Sequence, residues 1–436
     1  MTKRLIAIIL ALVICVMISG CDIRKDNDDM VSPPELTGEM APIAQALYES
    51  IATEYDLQYP ASGDRRSAIV LEDINGDGVF EAFAFYSTSE DELTTMHINT
   101  ICQIDGEWTS VVDQTIVAIG VELVDFCDLN SDGTLEILIG WEVNGSNEKQ
   151  LSVFTFKDNM LTQVISQAYT DFLCCDLDDD GTNEIFVHLL NTVEKTNKAI
   201  IYTYSENGVA QTAGCAMDPN VKSSEKPVLA TLSNGQKAIY IDEIKGVGAV
   251  TEVLYMLRGE LVNPLLDRVN SFENLSTLRA AALETKDING DNVLEIPVAS
   301  DLPNAANTDE KLFYTNWCSF NGEKLTVKQI TVVNTVDGYY VNVPNNMVGN
   351  IAVLKDIENH ERTFYNYDTK QTLLGDMLFT ISVVGISDWD KADYDRGNAT
   401  ELARNKSNVF VITLADAASA RGITEEMIKQ SFNLVE

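Results

Sequence analysis

"LEDINGDGVFEAFAFY" (residues 71–86) sets acidic and amide side chains at alternate positions of a nine-residue loop and then turns apolar. Three relatives follow: "FCDLNSDGTLEILIGW" (126–141), "CCDLDDDGTNEIFVHL" (174–189) and "TKDINGDNVLEIPVAS" (285–300). Asp, Asn and Gly are common turn residues, but solvated turns have no reason to repeat one nine-residue pattern four times. Each loop sits in the same frame. An apolar run leads in ("SAIVLE", "VELVDFC", "DFLCC", "RAAALET"), and a second run follows the glutamate ("AFAFY", "ILIGW", "IFVHLL", "IPVAS"). A hairpin with polar-glycine or similar turn chemistry comes next, as in "INTICQIDGEWTSVV", "LSVFTFKDNMLTQVI", "AIIYTYSENGVAQTA" and "TNWCSFNGEKLTVKQ". Short apolar runs bounded by such turns predict antiparallel strands, about four per unit.

The loops start at Asp73, Asp128, Asp176 and Asp287, which are 55, 48 and 111 residues apart. The last gap is two periods wide, and a degenerate unit fills it. "KPVLATLSNGQKAIYIDEI" puts Thr231 where the loop aspartate belongs, and "TEVLYMLRGELVNPL" supplies the hairpin. A four-strand period near 50 residues is the mark of a β-propeller. The expected fold is therefore mainly β, with five recognisable propeller repeats over residues 67–334.

The opening D-x-N-x-D-G also begins an EF-hand, which needs a bidentate glutamate at position 12 and flanking helices. Position 12 here is Ala84, Ile139, Val187 or Val298, all apolar and all in strand patterns. The acid falls at position 9 instead, as Glu81, Glu136, Glu184 and Glu295. In this the repeats resemble the FG-GAP/VCBS family of calcium-loop propellers, also seen in integrin α-subunit heads. The resemblance implies calcium, with ligands from the side chains at positions 1, 3, 5 and 9 and the carbonyl at position 7. The sites it implies are Asp73, Asn75, Asp77, Val79 and Glu81; Asp128, Asn130, Asp132, Thr134 and Glu136; Asp176, Asp178, Asp180, Thr182 and Glu184; and Asp287, Asn289, Asp291, Val293 and Glu295. Two departures stand out: Asn292 replaces glycine at position 6 of the last loop, and glutamate replaces the family's usual aspartate at position 9. Calcium takes six to eight hard oxygens, which suits this composition.

The chain opens on Lys3, Arg4 and the apolar run "LIAIILALVICVMI", ending in "ISGC" at Cys21. That is a secretory signal pattern over residues 1–20, and "ISGC" resembles the bacterial lipobox, which implies a lipid on Cys21. Residues 21–36 are polar and proline-bearing and read as a tether. The chain carries 30 Lys and Arg against 67 Asp and Glu, a formal charge of −37, and cleavage before Cys21 removes two cations and no acid. Such a balance argues against nucleic acid and against anionic lipid surfaces, leaving the lipid on Cys21 as the expected membrane contact. Among Cys102, Cys127, Cys174, Cys175, Cys215 and Cys318, most fall in apolar strand patterns and read as small buried hydrophobes. The pair that ring closure by five units would bring near each other is Cys102 with Cys318.

Residues 37–66 hold a helix and a lead-in, with Met40, Ile43, Leu47, Ile51 and Tyr55 on one helical face. Residues 335–436 break the repeat and read as a small α+β domain, closing on a helix with Thr424 as N-cap. His97, His188 and His360 are scattered, and there is no phosphate loop, dinucleotide fingerprint or CxxC pair. Trp108, Trp141 and Trp317 lie in strand patterns, as core residues do. The expected function is a lipid-anchored, extracytoplasmic calcium-binding module for a protein or glycan at the cell surface. The alternatives are a carbohydrate-active enzyme on the same scaffold, or a structural scaffold of an envelope complex.

Overall fold

The computed structural model describes residues 40–89, 95–143, 149–205, 208–279, 283–303 and 312–435. The signal segment, the tether and Cys21 lie outside these residues. Among the described residues, no helix is long and apolar enough to cross a membrane. The described residues are mainly β, built as six antiparallel sheets of four or five strands, preceded by a helix at Met40–Ser50.

Chain order is sheet order. The first sheet holds Tyr55–Leu57, Ile69–Glu72, Glu81–Thr88, Thr95–Ile104 and Glu107–Val117. The second is Gly120–Cys127, Glu136–Glu142, Lys149–Lys157 and Met160–Tyr169, and the third is Asp171–Cys175, Glu184–Asn191, Thr196–Ser205 and Gly208–Ala216. The degenerate unit is a sheet too, the fourth, with Val228–Thr231, Lys237–Lys245, Gly248–Leu257 and Glu260–Val262 plus the short strand Ser223–Ser224. Its hairpin turns at Arg258 and Gly259, both at positive φ, as do Asp105–Gly106 in the first sheet and Asp158–Asn159 in the second. Turns with two left-handed residues match the twist of the strands they join.

The strands after the acidic loops are buried on both faces, which is why they read as unbroken apolar runs. Ile137, Ile139 and Trp141 pack with Phe83, Phe85 and Ile98 of the first sheet. Leu138, between them, turns the other way and packs with Leu151, Val153, Ile185 and Val187. The pattern continues: Phe186 and Ile201 meet Ile239, Ile241 and Leu254, and Tyr240 and Val253 meet Ile296 and Phe320. Alternation across a pleat with a sheet on either side gives one core per interface.

One expectation is revised here, and it concerns the ring. The outer face of the first sheet is covered by the N-terminal helix, whose Ile43 and Leu47 pack on Ile69, Ala82, Ala84 and Ile101. On the last sheet, Trp389 packs against Val409 and Val411. Among the described residues no core joins the first and last sheets, and no closed propeller is formed. The helix is also shorter than its apolar stripe, since Tyr55–Leu57 leaves it to pair with Tyr86–Thr88 as an edge strand.

The C-terminal stretch, read from sequence as a small α+β domain, holds strands and, among the described residues, three short helices, Ile386–Trp389, Asp416–Ala420 and Glu425–Ser431. Only the turn 335–338 separates Asn334 from Tyr339, so Tyr339–Asn342 folds back onto the fifth sheet, and Phe432–Leu434 adds to it. The fifth sheet is otherwise Glu295–Asp301, Phe313–Phe320 and Leu325–Asn334. The sixth contains Ile351–Asp356, Glu361–Asp368, Leu373–Gly385, Thr400–Arg404 and Asn408–Leu414. It shares one core with the fifth through Tyr314, Val332, Phe364, Ile381 and Phe410. The terminal helix, Glu425–Ser431, begins where expected, with the Thr424 side chain accepting a hydrogen bond from the Met427 N–H.

Candidate metal centres

Each acidic loop is closed at its base by an antiparallel pair: Glu72 with Glu81, Cys127 with Glu136, Cys175 with Glu184, and Lys286 with Glu295. Position 2 of the loop turns inward, and Ile74, Leu129 and Leu177 are buried there. Its N–H donates to Oε2 of the position-9 glutamate at 3.1, 3.0, 2.8 and 3.2 Å in the four loops. Position 4 is left-handed in all four, at Gly76, Ser131, Asp179 and Gly290, and so is position 6, at Gly78, Gly133, Gly181 and Asn292. Asparagine tolerates that conformation, so Asn292 leaves the last loop in the shape of the others.

The same side-chain bonds recur around this backbone. Oδ2 of the position-1 aspartate accepts from the position-6 N–H at 2.9, 2.9, 3.3 and 2.8 Å. The position-5 aspartate accepts from the position-7 N–H at 2.8, 2.8, 2.8 and 2.9 Å. The position-3 residue accepts from the position-5 N–H at 2.9, 3.0, 3.3 and 2.9 Å. Backbone donors thus turn the side chains at positions 1, 3, 5 and 9 into one small volume. Asp176, Asp178 and Glu184 each place an oxygen within 4.8 Å of the others, as do Asp287, Asp291 and Glu295. The acids of the first two loops do not gather as tightly.

The electrostatics ask for a counter-charge. Glu81, Glu136, Glu184 and Glu295 are buried, and burial raises the carboxyl of each above its ordinary range. Glu184 is pushed up to about 7, by burial first and then by Asp178, Asp180 and Asp176. A divalent cation among these oxygens would reverse that penalty. The donor set is all hard oxygen with no sulfur or imidazole, which fits calcium better than zinc or copper.

Neighbouring loops touch. The Leu135 N–H donates to the Ile74 carbonyl at 2.7 Å, the Ser131 hydroxyl donates to the Gly181 carbonyl at 2.9 Å, and Asn183 Nδ2 donates to the Asp128 carbonyl at 2.9 Å. The first three loops therefore stand in a row on one edge of the stacked sheets. Below the second and third, Cys127 and Cys174 form a disulfide with Cα atoms 6.4 Å apart. Cys102 and Cys318 remain free and buried. They cannot be neighbours across a closed ring, because the first sheet is faced by the helix and the fifth by the sixth.

The fourth loop position has lost the site. Thr231 pairs directly with Lys237, so the connection is three residues shorter than in the other units. No acid stands there, and Leu232 N–H bonds the Gln236 carbonyl. A second polar group was not legible as a cluster in the sequence. Between the third and fourth sheets, His188 Nε2 lies 2.8 Å from Asn197 Oδ1, and Asn197 Nδ2 donates to Glu243 Oε1 at 2.7 Å. Glu252 accepts from the Asp218 N–H and from Asn263, each at 2.9 Å. All are buried, and burial raises Glu243 far above its ordinary range and Glu252 to about 7. The one signal was acids inside the apolar runs "AIYIDEI" and "TEVLYML". Trp141 and Trp317 are core residues, as expected, at 0% and 2% exposure.

No protein-family model matches the chain, and no curated protein matches it. Among solved structures, it is similar to a rhamnogalacturonan lyase of Bacillus licheniformis, at 11% identity over 56% of this chain and 59% of that one, with a TM-score of 0.28. An exotype rhamnogalacturonan lyase is similar at 11% identity over 76% and 68%, with a TM-score of 0.28. An exo-β-1,3-galactanase of Phanerochaete chrysosporium follows at 9% over 79% and 81%, with a TM-score of 0.25. The chain thus spans less than two thirds of the first of these. At such scores the likenesses carry no argument about activity.

Proposed function

We propose that this chain is a lipid-anchored extracytoplasmic protein of the FG-GAP/VCBS kind, a propeller-type stack whose acidic loops hold calcium, and that it binds a glycan or a protein at the cell surface. The observation that carries the calcium reading is the recurrence of one hydrogen-bond skeleton in four loops that differ in sequence at several positions. In each, backbone N–H groups orient the oxygens at positions 1, 3, 5 and 9. When bound, calcium would supply positive charge that lets these carboxylates sit together and stiffens the edge of the stack. The Cys127–Cys174 disulfide supports an oxidising compartment, in keeping with the signal pattern before Cys21.

Glycan capture and glycan cleavage are separated by one experiment. The purified chain is immobilised and exposed to a panel of soluble polysaccharides, with millimolar calcium or with chelator, and both retention and new chain ends are measured. Calcium-dependent retention without new ends is expected. Appearance of new ends would replace the binding-module reading with the carbohydrate-active enzyme, and retention indifferent to chelator would remove calcium from the function. For the anchor, Cys21→Ser should abolish palmitate labelling; a variant that labels like the native chain refutes the lipid assignment.

A further inference from the structure

The third loop differs from the other three in a way that points to the unit beside it. Lys237 opens the strand Lys237–Lys245 of the fourth sheet, the sheet whose own loop is shortened. Its Nζ lies 3.1 Å from Asp176 Oδ2 and 2.8 Å from Asp179 Oδ1. Asp176 is position 1 of the third loop, and Asp179 is position 4, where the other loops carry Gly76, Ser131 and Gly290. Only the third loop has an acid there, held at φ +66°. The lysine is one-third exposed or less, so it reaches the loop from the rim.

One bond to the aspartate that the ammonium touches is longer in this loop. The position-6 N–H to position-1 bond is 3.3 Å in the third loop, against 2.9, 2.9 and 2.8 Å elsewhere. Among the described residues, no lysine or arginine forms an ion pair with the position-1 aspartate of the other loops. The most acidic loop is thus the one that already has a cation on it.

We infer that Lys237 is a tethered competitor for the third loop: its ammonium occupies the position-1 carboxylate, so this loop takes up calcium only by displacing it. The inference rests on the calcium reading proposed above and adds a rank order to it, with the third loop filling last despite its larger negative charge. A charge supplied in cis by the unit that lost its own site would keep the loop ordered at low calcium.

The test is equilibrium binding of radioactive calcium to the full chain, with bound ions counted against free calcium. Three proteins are compared: the native chain, Lys237→Met, which removes the charge, and Lys237→Arg, which keeps it. The native chain and Lys237→Arg should fill one site separately and last. In Lys237→Met that site should move to roughly tenfold lower calcium, the order expected when a unit charge a few ångströms from a divalent ion is removed in a largely aqueous setting. Identical filling curves for the native chain and Lys237→Met overturn this inference and leave the calcium reading standing. Binding of no calcium by any of the three overturns both.

Discussion

Replacing Glu184 by glutamine should stabilise the protein without calcium and weaken its response to calcium. The side chain is 2% exposed, accepts the Leu177 N–H at 2.8 Å, and has an oxygen within 4.8 Å of those on Asp176 and Asp178. Glutamine keeps the shape and an acceptor oxygen and removes the charge. Two unit charges about 5 Å apart repel by roughly 3 kcal/mol at an effective dielectric near 20. The loop rim is solvated and Lys237 offsets part of the charge on Asp176, so about 1 kcal/mol should survive. In chelator, and above about pH 7 where Glu184 is ionised, Glu184→Gln should therefore be more stable than the native chain by about 1 kcal/mol. Calcium turns the sign. Extracellular modules bind calcium at about 10⁻⁴–10⁻³ M, so at roughly 1 mM a site would contribute about 0.4–1.4 kcal/mol; the third loop, which must displace Lys237, lies at the low end, and the variant should forfeit that share. The assay is urea unfolding followed by tryptophan fluorescence, run for both proteins in chelator and in millimolar calcium. If Glu184→Gln is destabilised equally in both conditions, the glutamate is only a hydrogen-bond acceptor and the loop holds no cation.

Reducing the Cys127–Cys174 bond should cost about 4 kcal/mol on the chain-entropy account for partners 47 residues apart. A reductant should lower the unfolding midpoint of the native chain and leave a Cys127→Ser variant unmoved; equal sensitivity of the two would refute the pairing. Acid should act through His188, which burial pushes down to about 4. Glu243, 3.6 Å away, is raised above its ordinary range by burial and by Glu252. Unfolded histidine titrates near 6.5, so below that pH the unfolded state binds a proton that the native state refuses. The contribution of His188, fully present above about 6.5, should then be lost as the pH drops toward about 4, by about 3 kcal/mol, while Glu184 and Glu252, raised to about 7 by burial, act in the opposite sense over that range. His188→Gln should flatten that slope relative to the native chain, and parallel slopes would remove His188 from the acid response.

What the sequence made legible was local. Strands followed from apolar runs and hairpin turns, and the loops followed from a fixed spacing of oxygen-bearing side chains. Cysteine pairing was not legible, because it depends on which face a residue takes in a sheet packed on both sides. Cys127 and Cys175 hold the same place in their units, opposite Glu136 and Glu184. Yet Cys175 faces the fourth sheet, in the core with Ile239, while Cys174 faces back toward the second, with Cys127. One step along a strand reverses the side chain, and that step decided the bond. Lys237 was hidden for a similar reason: its partners lie about 60 residues earlier, on a loop that becomes its neighbour only once the sheets stack. The sixth sheet lacks an acidic loop, so the signal that found the others had nothing to register there.

The fourth unit shows which residues build a sheet and which serve another end. It lacks the acids and is three residues shorter at the loop, but its strands pair in the same antiparallel order. Leu232 is 1% exposed there, filling the inward place that Ile74, Leu129 and Leu177 fill in the acidic loops. Its faces still carry the alternating residues that join two cores, Ile239 and Ile241 on one side and Tyr240 and Val253 on the other. An inward apolar residue at the turn and two apolar faces are therefore sufficient to make the unit. In the nine-residue loops the carboxylates accept the backbone N–H bonds that shape the turn, but their charges also repel one another. A cation bound among these acids would offset that repulsion, and one that binds the folded state alone would add to its stability.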